Sequence, residues 1–330
     1  MRRDRCSWTS ATGVLRNVKI VYLDQNKWID LARAVKSPKA HPVLRELLEA
    51  ICEKIKTDEL LFPLSASNLY ETYKINRAEQ RFDLAMTQVA LSQALVYRGL
   101  HRRLETEVGA VLAHLYGLPW SDLEPRWFLS DVFFEATVDQ NDPRLGVVVP
   151  PRIVDFIQSD PEAALLDYLV SASDAERIEA VRRFSNGCDE LRLRIEDRRA
   201  RHGDQPMSMR RKIYSVLMAI EQQDVIIAIA ERLGLPWTCL GDKGGAILRE
   251  IIRETPAFFI EREISLKLEA QGRPIANNDM QDMRSFCTVL PYADLVIAEN
   301  QFTNLAKQAG LDKRYGTQLE TDILCLREIL

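Results

Sequence analysis

The chain has 330 residues, of which 46% are hydrophobic and 28% charged, and a formal net charge of −4. That length suffices for two domains or for one α/β domain with a large insertion, and the composition supplies an ordinary core. The charge excludes a broadly cationic polyanion binder but leaves room for a local basic groove, and the longest apolar runs, such as 225–230, fall far short of the ~20 residues that span a bilayer.

The first ten residues are basic and polar with no hydrophobic segment behind them, so no secretory signal is expected, and 1–17 reads as a loose leader. Residues 18–23, Val-Lys-Ile-Val-Tyr-Leu, are β-prone and end at Asp24, the pattern of a strand buried on both faces of a parallel sheet. Helical character follows over 26–35. From Pro42, Leu44, Leu47, Leu48, Ile51 and Ile55 fall at helical spacing and predict an amphipathic helix. Residues 59–64 form a second strand candidate closed by Pro63, and Ser65 or Ser67 caps the next helix, which holds Glu71. Residues 77–116 read as helical, with Leu100, Leu104, Val108, Val111, Leu112 and Leu115 on one face.

Pro119, Pro125, Pro143, Pro150 and Pro151 break the pattern over 118–160, predicting a long connection with short helices. Residues 161–270 are mostly helical, interrupted at 203–206 and 241–245. A helix is expected over 279–290, a strand over 294–298 and a helix over 301–308; 323–330 fits a strand or a helix. The two ends therefore read as α/β and the middle as all-α. The expected architecture joins 18–117 and 277–330 in one parallel-sheet domain, with 118–276 as a mainly helical insertion, because parallel strands need crossovers.

In open α/β sheets functional groups gather at the C-terminal ends of strands. Asp24 directly follows the first strand and Glu299 follows the strand over 294–298. Asp282 lies early on the helix before that strand, and Glu71 on the helix after the second. Two carboxylates ~4 Å apart repel by about 4 kcal/mol at an effective dielectric near 20, so a cluster needs a counter-charge. Hard divalent cations supply it through oxygen ligands and can activate water at a phosphodiester. No Ser–His pair is apparent, and the chain has 4 histidines in all, so a metal mechanism suits its inventory.

The segments V-Y-L-D-Q-N (21–26 with its preceding strand), P-L-S-A-S-N-L-Y-E (63–71) and D-M-Q-D-M-R-S-F-C-T-V-L-P-Y-A-D-L-V-I-A-E-N (279–300) resemble the PIN-like nucleases. The resemblance covers roughly 18–80 and 277–330. It implies a three-layer PIN-like α/β domain and a metal-dependent endoribonuclease using Mg²⁺ or Mn²⁺. Its catalytic positions match Asp24, Glu71, Asp282 and Glu299, with Asp24, Asp282 and Glu299 as metal ligands. The products implied are a 5′-phosphate and a 3′-hydroxyl. Glu299 stands where an Asp is commoner, so Asp294 and Asp279 are alternative ligands. RNA as partner, an inhibitory protein partner and a toxin or defence role follow from the same analogy. A catalytically degenerate RNA- or protein-binding module, a DNA nuclease and a phosphatase are the competing readings.

Each acid also has a plainer use. Asp24 can cap a helix, Glu71 can join Asn68 in a capping box, and Asp279 and Asp282 suit a helix N-terminus. Arg77, Arg81, Asn68 and Asn300 are candidate substrate contacts. The basic series Arg192, Arg194, Arg198, Arg199, Arg201, His202, Arg210, Arg211 and Lys212 offers a phosphate-contacting face, but interleaved Glu190, Glu196 and Asp197 favour a salt-bridged surface. Residues 241–245 lack the Lys-Ser/Thr end of a P-loop and read as a turn. Cys6, Cys52, Cys188, Cys239, Cys287 and Cys325 contain no C-x-x-C pair, arguing against zinc or iron–sulfur and for reduced thiols in the cytoplasm.

Overall fold

A computed structural model describes residues 18–120, 124–137, 149–235 and 244–330; the leader and most of the expected 241–245 turn lie outside them. Strand β1 is Lys19–Leu23, and Val21, Tyr22 and Leu23 are at most 1% exposed, which puts it inside the molecule with a layer on each face. Helices α1 (Gln25–Lys36) and α2 (Pro42–Lys56) lead to β2 (Leu60–Leu61), then α3 (Ala66–Tyr73) and α4 (Ala78–Ser92). Short strand β3 (Val96–Tyr97) precedes α5 (Leu100–Tyr116) and pairs antiparallel with β4 (Leu129–Ser130).

The middle of the chain supplies α6 (Pro151–Ser159), α7 (Pro161–Ser171), α8 (Asp174–His202), α9 (Met207–Glu221), α10 (Gln223–Arg232), α11 (Gly244–Glu254) and α12 (Pro256–Ala270). Then come α13 (Asn277–Val289), β5 (Leu295–Ile297), α14 (Asn300–Gln308), α15 (Leu311–Tyr315) and β6 (Gln318–Glu320). The main sheet has the order β2-β1-β5-β6, every pair parallel, so both chain ends build one sheet as expected.

Alternation along β1 sorts the two faces. Val21 and Leu23 join Trp28 and Leu31 of α1, Leu47 and Ile51 of α2, Val89 of α4 and Leu165 and Leu169 of α7. Ile20 and Tyr22 face the other way, onto Phe184 and Ile195 of α8, Ile264 of α12, and Met283 and Phe286 of α13. The helical middle is thus no detached body: α7 closes one face of the sheet and α8 and α12 the other. A third cluster, with Val108 and Leu112 of α5, Met218 of α9, Ile229 of α10 and Ile251 of α11, lies among the helices themselves. Among the described residues no single helix is long and apolar enough to cross a membrane.

Several elements differ from expectation. The helical reading of 77–116 is broken at Gln93 and Ala94, whose φ values of 52° and 58° are left-handed. No Gly or Pro marks that break; the fully buried pair Val96 and Tyr97 turns the backbone to bond with β4 and Leu64, and tertiary pairing overrides helix propensity. The strand expected over 59–64 shrinks to Leu60–Leu61, the edge strand β6 went unanticipated, and the last segment is a 3-10 turn over Ile323–Glu328.

Candidate functional site

Leu23 pairs with Ile297, so two neighbouring strands end at the same level, and the Asp24 amide donates to the Ile297 carbonyl at 2.9 Å. The next residues open helices: Asp24 is the N-cap of α1 and Glu299 the N-cap of α14. Neither side chain makes the capping hydrogen bond, so both carboxylates are left to the space above the strand ends. The positive helix N-termini favour negative charge there. Glu71 comes from the second turn of α3 and Asp282 from the second turn of α13. All four acids line one cleft of about 310 Å³, with Gln25, Asn26, Lys74, Asn278 and Gln281.

The capping box at the start of α3 is real, but Ser65 forms it with Asn68, which leaves Glu71 free. Asn68 is buried and serves as a brace: its Nδ2 donates to the Leu23 carbonyl at 3.4 Å and to Gln25 Oε1 at 3.3 Å. Gln25 Nε2 donates to Thr72 Oγ1 at 3.0 Å, Thr72 Oγ1 donates to Gln88 Oε1 at 2.8 Å, and Gln88 Nε2 returns to Gln25 Oε1 at 3.2 Å. This buried ring of polar groups locks α1, α3 and α4 together directly beneath Asp24 and Glu71. On the far wall, Ser67 Oγ donates to the Gln281 carbonyl at 3.5 Å and Lys74 Nζ to Gln281 Oε1 at 3.1 Å, joining α3 to α13. Asn26 Nδ2 holds Glu299 Oε1 at 2.6 Å.

Burial, followed by the fields of Asp24, Glu299 and Glu71, pushes the Asp282 carboxyl up to about 8. Burial and the charge of Asp24 push Glu71 up to about 7, against a smaller opposing pull from Lys74. Burial also raises Asp24, with Glu299 adding to it and the Gln25 amide and Lys27 opposing. These shifts reflect burial first and mutual carboxylate repulsion second, with Lys74 the one basic side chain in the lining among the described residues.

The other expected site residues lie elsewhere. Asp294 precedes β5, at the opposite end of the strands; its Oδ2 accepts from the Ile20 amide at 2.7 Å, so it pins the sheet and is out of reach as a ligand. Asp279 accepts from both Arg273 terminal nitrogens at 2.6 and 2.8 Å, from the Ala276 amide at 2.7 Å and from Gln301 at 3.0 Å. Burial alone would raise its carboxyl, but Arg273 and the Ala276 amide hold it below the usual range. It caps α13 and does not line the cleft. Arg81 is buried and donates to the Ile75 carbonyl at 2.8 Å, Arg77 is the exposed N-cap of α4, and Asn300 accepts from Asn304 at 2.8 Å. None of the three lines the cleft.

Much of the basic series is spent on ion pairs: Arg192 with Glu196 at 2.9 Å, Arg198 with Glu221 at 2.5 Å, Arg201 with Asp197 at 2.9 Å, Arg211 with Glu263 at 2.8 Å, and Arg210 with Glu269. Sequence reading missed Lys74, Gln25, Asn26 and Asn278. Gln25 and Asn26 stand inside the Y-L-D-Q-N motif and Lys74 three residues after Glu71, so all three were within reach of helical spacing.

The donors are all hard oxygens, which suits Mg²⁺ or Mn²⁺ and disfavours soft metals. The spacing is looser than the chemistry: among the described residues no three His, Cys, Asp or Glu side chains gather closely enough to form a ready-made cage. Comparisons with protein-family models, curated proteins and solved structures return no match.

Proposed function

We propose that the chain is a metal-dependent nuclease of PIN-like type that hydrolyses RNA phosphodiesters. The supporting observation is the convergence of Asp24, Glu71, Asp282 and Glu299, from four separate segments, in one cleft where Lys74 is the one basic side chain among the described residues. A hard divalent cation bound by Asp24, Asp282 and Glu299 would polarise the scissile phosphate and lower the pKa of the attacking water. Glu71, in the same cleft, would be the base that takes the proton from that water. Lys74 on the rim meets a phosphate oxygen of the strand, and Asn26 keeps Glu299 oriented. RNA is preferred over DNA on the PIN-like resemblance.

The test is cleavage of labelled single-stranded RNA, structured RNA and DNA with Mg²⁺ or Mn²⁺ and an EDTA control. The wild type is compared with Asp24→Asn and Asp282→Asn. Metal-dependent RNA cutting lost in both variants is the expected result. A folded wild type that cuts nothing, or variants that cut equally well, would overturn it. The absence of a ready-made acidic cage among the described residues favours one second reading, a non-catalytic RNA- or protein-binding module on the same fold. Binding of RNA without cleavage under every metal condition would select it.

A further inference from the structure

A second, larger cavity, of about 430 Å³, is lined by residues of α3, α5, α8, α12 and α13, none of them shared with the acidic cleft. That volume lies in the range of small-molecule sites. Its lining is unlike the cleft's. Arg183 and Arg194 reach it from one face of α8, Arg284 from α13, and Glu261 from α12. Arg183 and Arg194 are exposed at its mouth, where Arg183 pairs with Glu179 at 2.7 Å and Arg194 more loosely with Glu221 at 3.4 Å, while Arg284 is partly buried.

Arg284 is the informative member. Its guanidinium stacks over Phe184 at 5.2 Å and its Nη1 contacts the Cys188 sulfur at 3.9 Å, yet among the described residues no carboxylate pairs with it. A Cβ on Gly187 would stand 2.9 Å from Arg284 Nη1, so an alanine there would push the end of the Arg284 side chain aside. A half-buried guanidinium stacked on a ring and with no carboxylate in ion-pair contact among the described residues offers its planar fork to phosphate. Glu261 also faces the space and makes no ion pair among the described residues; burial pushes its carboxyl up, and Arg194, Arg198 and, more weakly, Arg284 oppose that. Met283, Leu104 and Phe258 back the cavity from the core, and Leu100, 44% exposed, offers the apolar surface.

We propose that this cavity binds a small organic phosphate of nucleotide size, its phosphate on Arg284 and Arg194, a hydrogen-bond donor of its body on Glu261 and its apolar face on Leu100. The site is independent of the acidic cleft and of any nuclease activity. The same chemistry is offered by a free nucleotide and by the phosphorylated 5′ end of an RNA strand.

The test is isothermal titration of the full chain with AMP, GMP, CMP, UMP, inorganic phosphate and a 5′-phosphorylated dinucleotide. At least one nucleotide is expected to bind with Kd below about 1 mM and about tenfold more tightly than inorganic phosphate. Tighter binding of the dinucleotide than of any mononucleotide assigns the site to RNA ends, and the reverse to free nucleotides. Arg284→Gln and Gly187→Ala should each weaken binding about tenfold. Arg194→Gln, at an exposed position, serves as the second variant if either of these fails to fold. Asp24→Asn should bind as the wild type does, which separates this site from the cleft. Absence of binding by every probe, equal binding of phosphate and nucleotides, or wild-type affinity in the folded arginine variants would overturn the proposal.

Discussion

Gln25 Nε2 donates to Thr72 Oγ1 at 3.0 Å, and each of these residues is the immediate chain neighbour of a cleft carboxylate, Asp24 and Glu71. The bond is fully buried and spans 47 residues of sequence, so it sets the distance between the first two acids from below. Thr72→Val removes the acceptor for Gln25 and the donor to Gln88. Stranding those buried amides is expected to cost about 1–3 kcal/mol of stability. It should also weaken Mn²⁺ binding about tenfold, since the acids lose their relative placement. Leu84→Ala, in the core of α4, is the control: its expected loss of about 2–5 kcal/mol should leave Mn²⁺ affinity unchanged. Equal metal affinities in both variants would show the polar ring to be merely structural.

The cleft makes stability depend on pH in a defined direction. Asp282 at about 8 and Glu71 at about 7 lie above their ordinary values of 3.8 and 4.5, so the folded chain holds protons that the unfolded chain releases. Their contribution to stability is fully present below about pH 4 and is lost as pH rises through 7 to 8. Asp282→Asn should therefore stabilise the metal-free protein at pH 9 by about 1–3 kcal/mol and change it little at pH 4. Urea unfolding at the two pH values checks this, and an equal effect at both contradicts it.

A bound divalent cation should reverse that loss. At about 100 times its Kd, Mn²⁺ is expected to add about 2.7 kcal/mol of stability. The gain should be larger at pH 8 than at pH 5, because protons compete for the same carboxylates. The double variant Asp24→Asn, Asp282→Asn should show no gain. A melting temperature indifferent to Mn²⁺ in the wild type would remove the metal site from consideration.

Glu107 ties the helical middle to the sheet. It is fully buried on α5 and accepts from the Ala257 amide at 2.9 Å and the Tyr292 hydroxyl at 2.5 Å, with Arg103 at 3.6 Å. Glu107→Ala leaves the Arg103 charge buried without its partner and should cost about 3–5 kcal/mol. Glu107→Gln keeps one oxygen to accept from the Ala257 amide and turns an NH2 donor toward the Tyr292 hydroxyl, and should cost less. Chemical denaturation of the two variants reads the difference.

Local sequence determined the elements whose burial pattern is strong and one-sided. The run ending at Leu23, the spacing of Leu47, Leu48, Ile51 and Ile55, and the helices around Glu71 and Asp282 all appear close to where periodicity puts them. Asp24 and Glu299 were legible because a parallel sheet carries the residues after its strands to one edge, and Glu71 and Asp282, on helices, through the PIN-like resemblance. Tertiary structure alone decided which acids stay free. Asp279 and Asp294 look equivalent to the others in sequence, but Arg273 and the Ile20 amide, brought in by folding, consume them. It also decided the break at Gln93 and Ala94, where buried strand pairing overrides helix propensity, and the packing of α7, α8 and α12 on both faces of the sheet. Hydrophobic periodicity says that a face is buried; it does not say against what, because apolar contact has no directional partner to read from the chain.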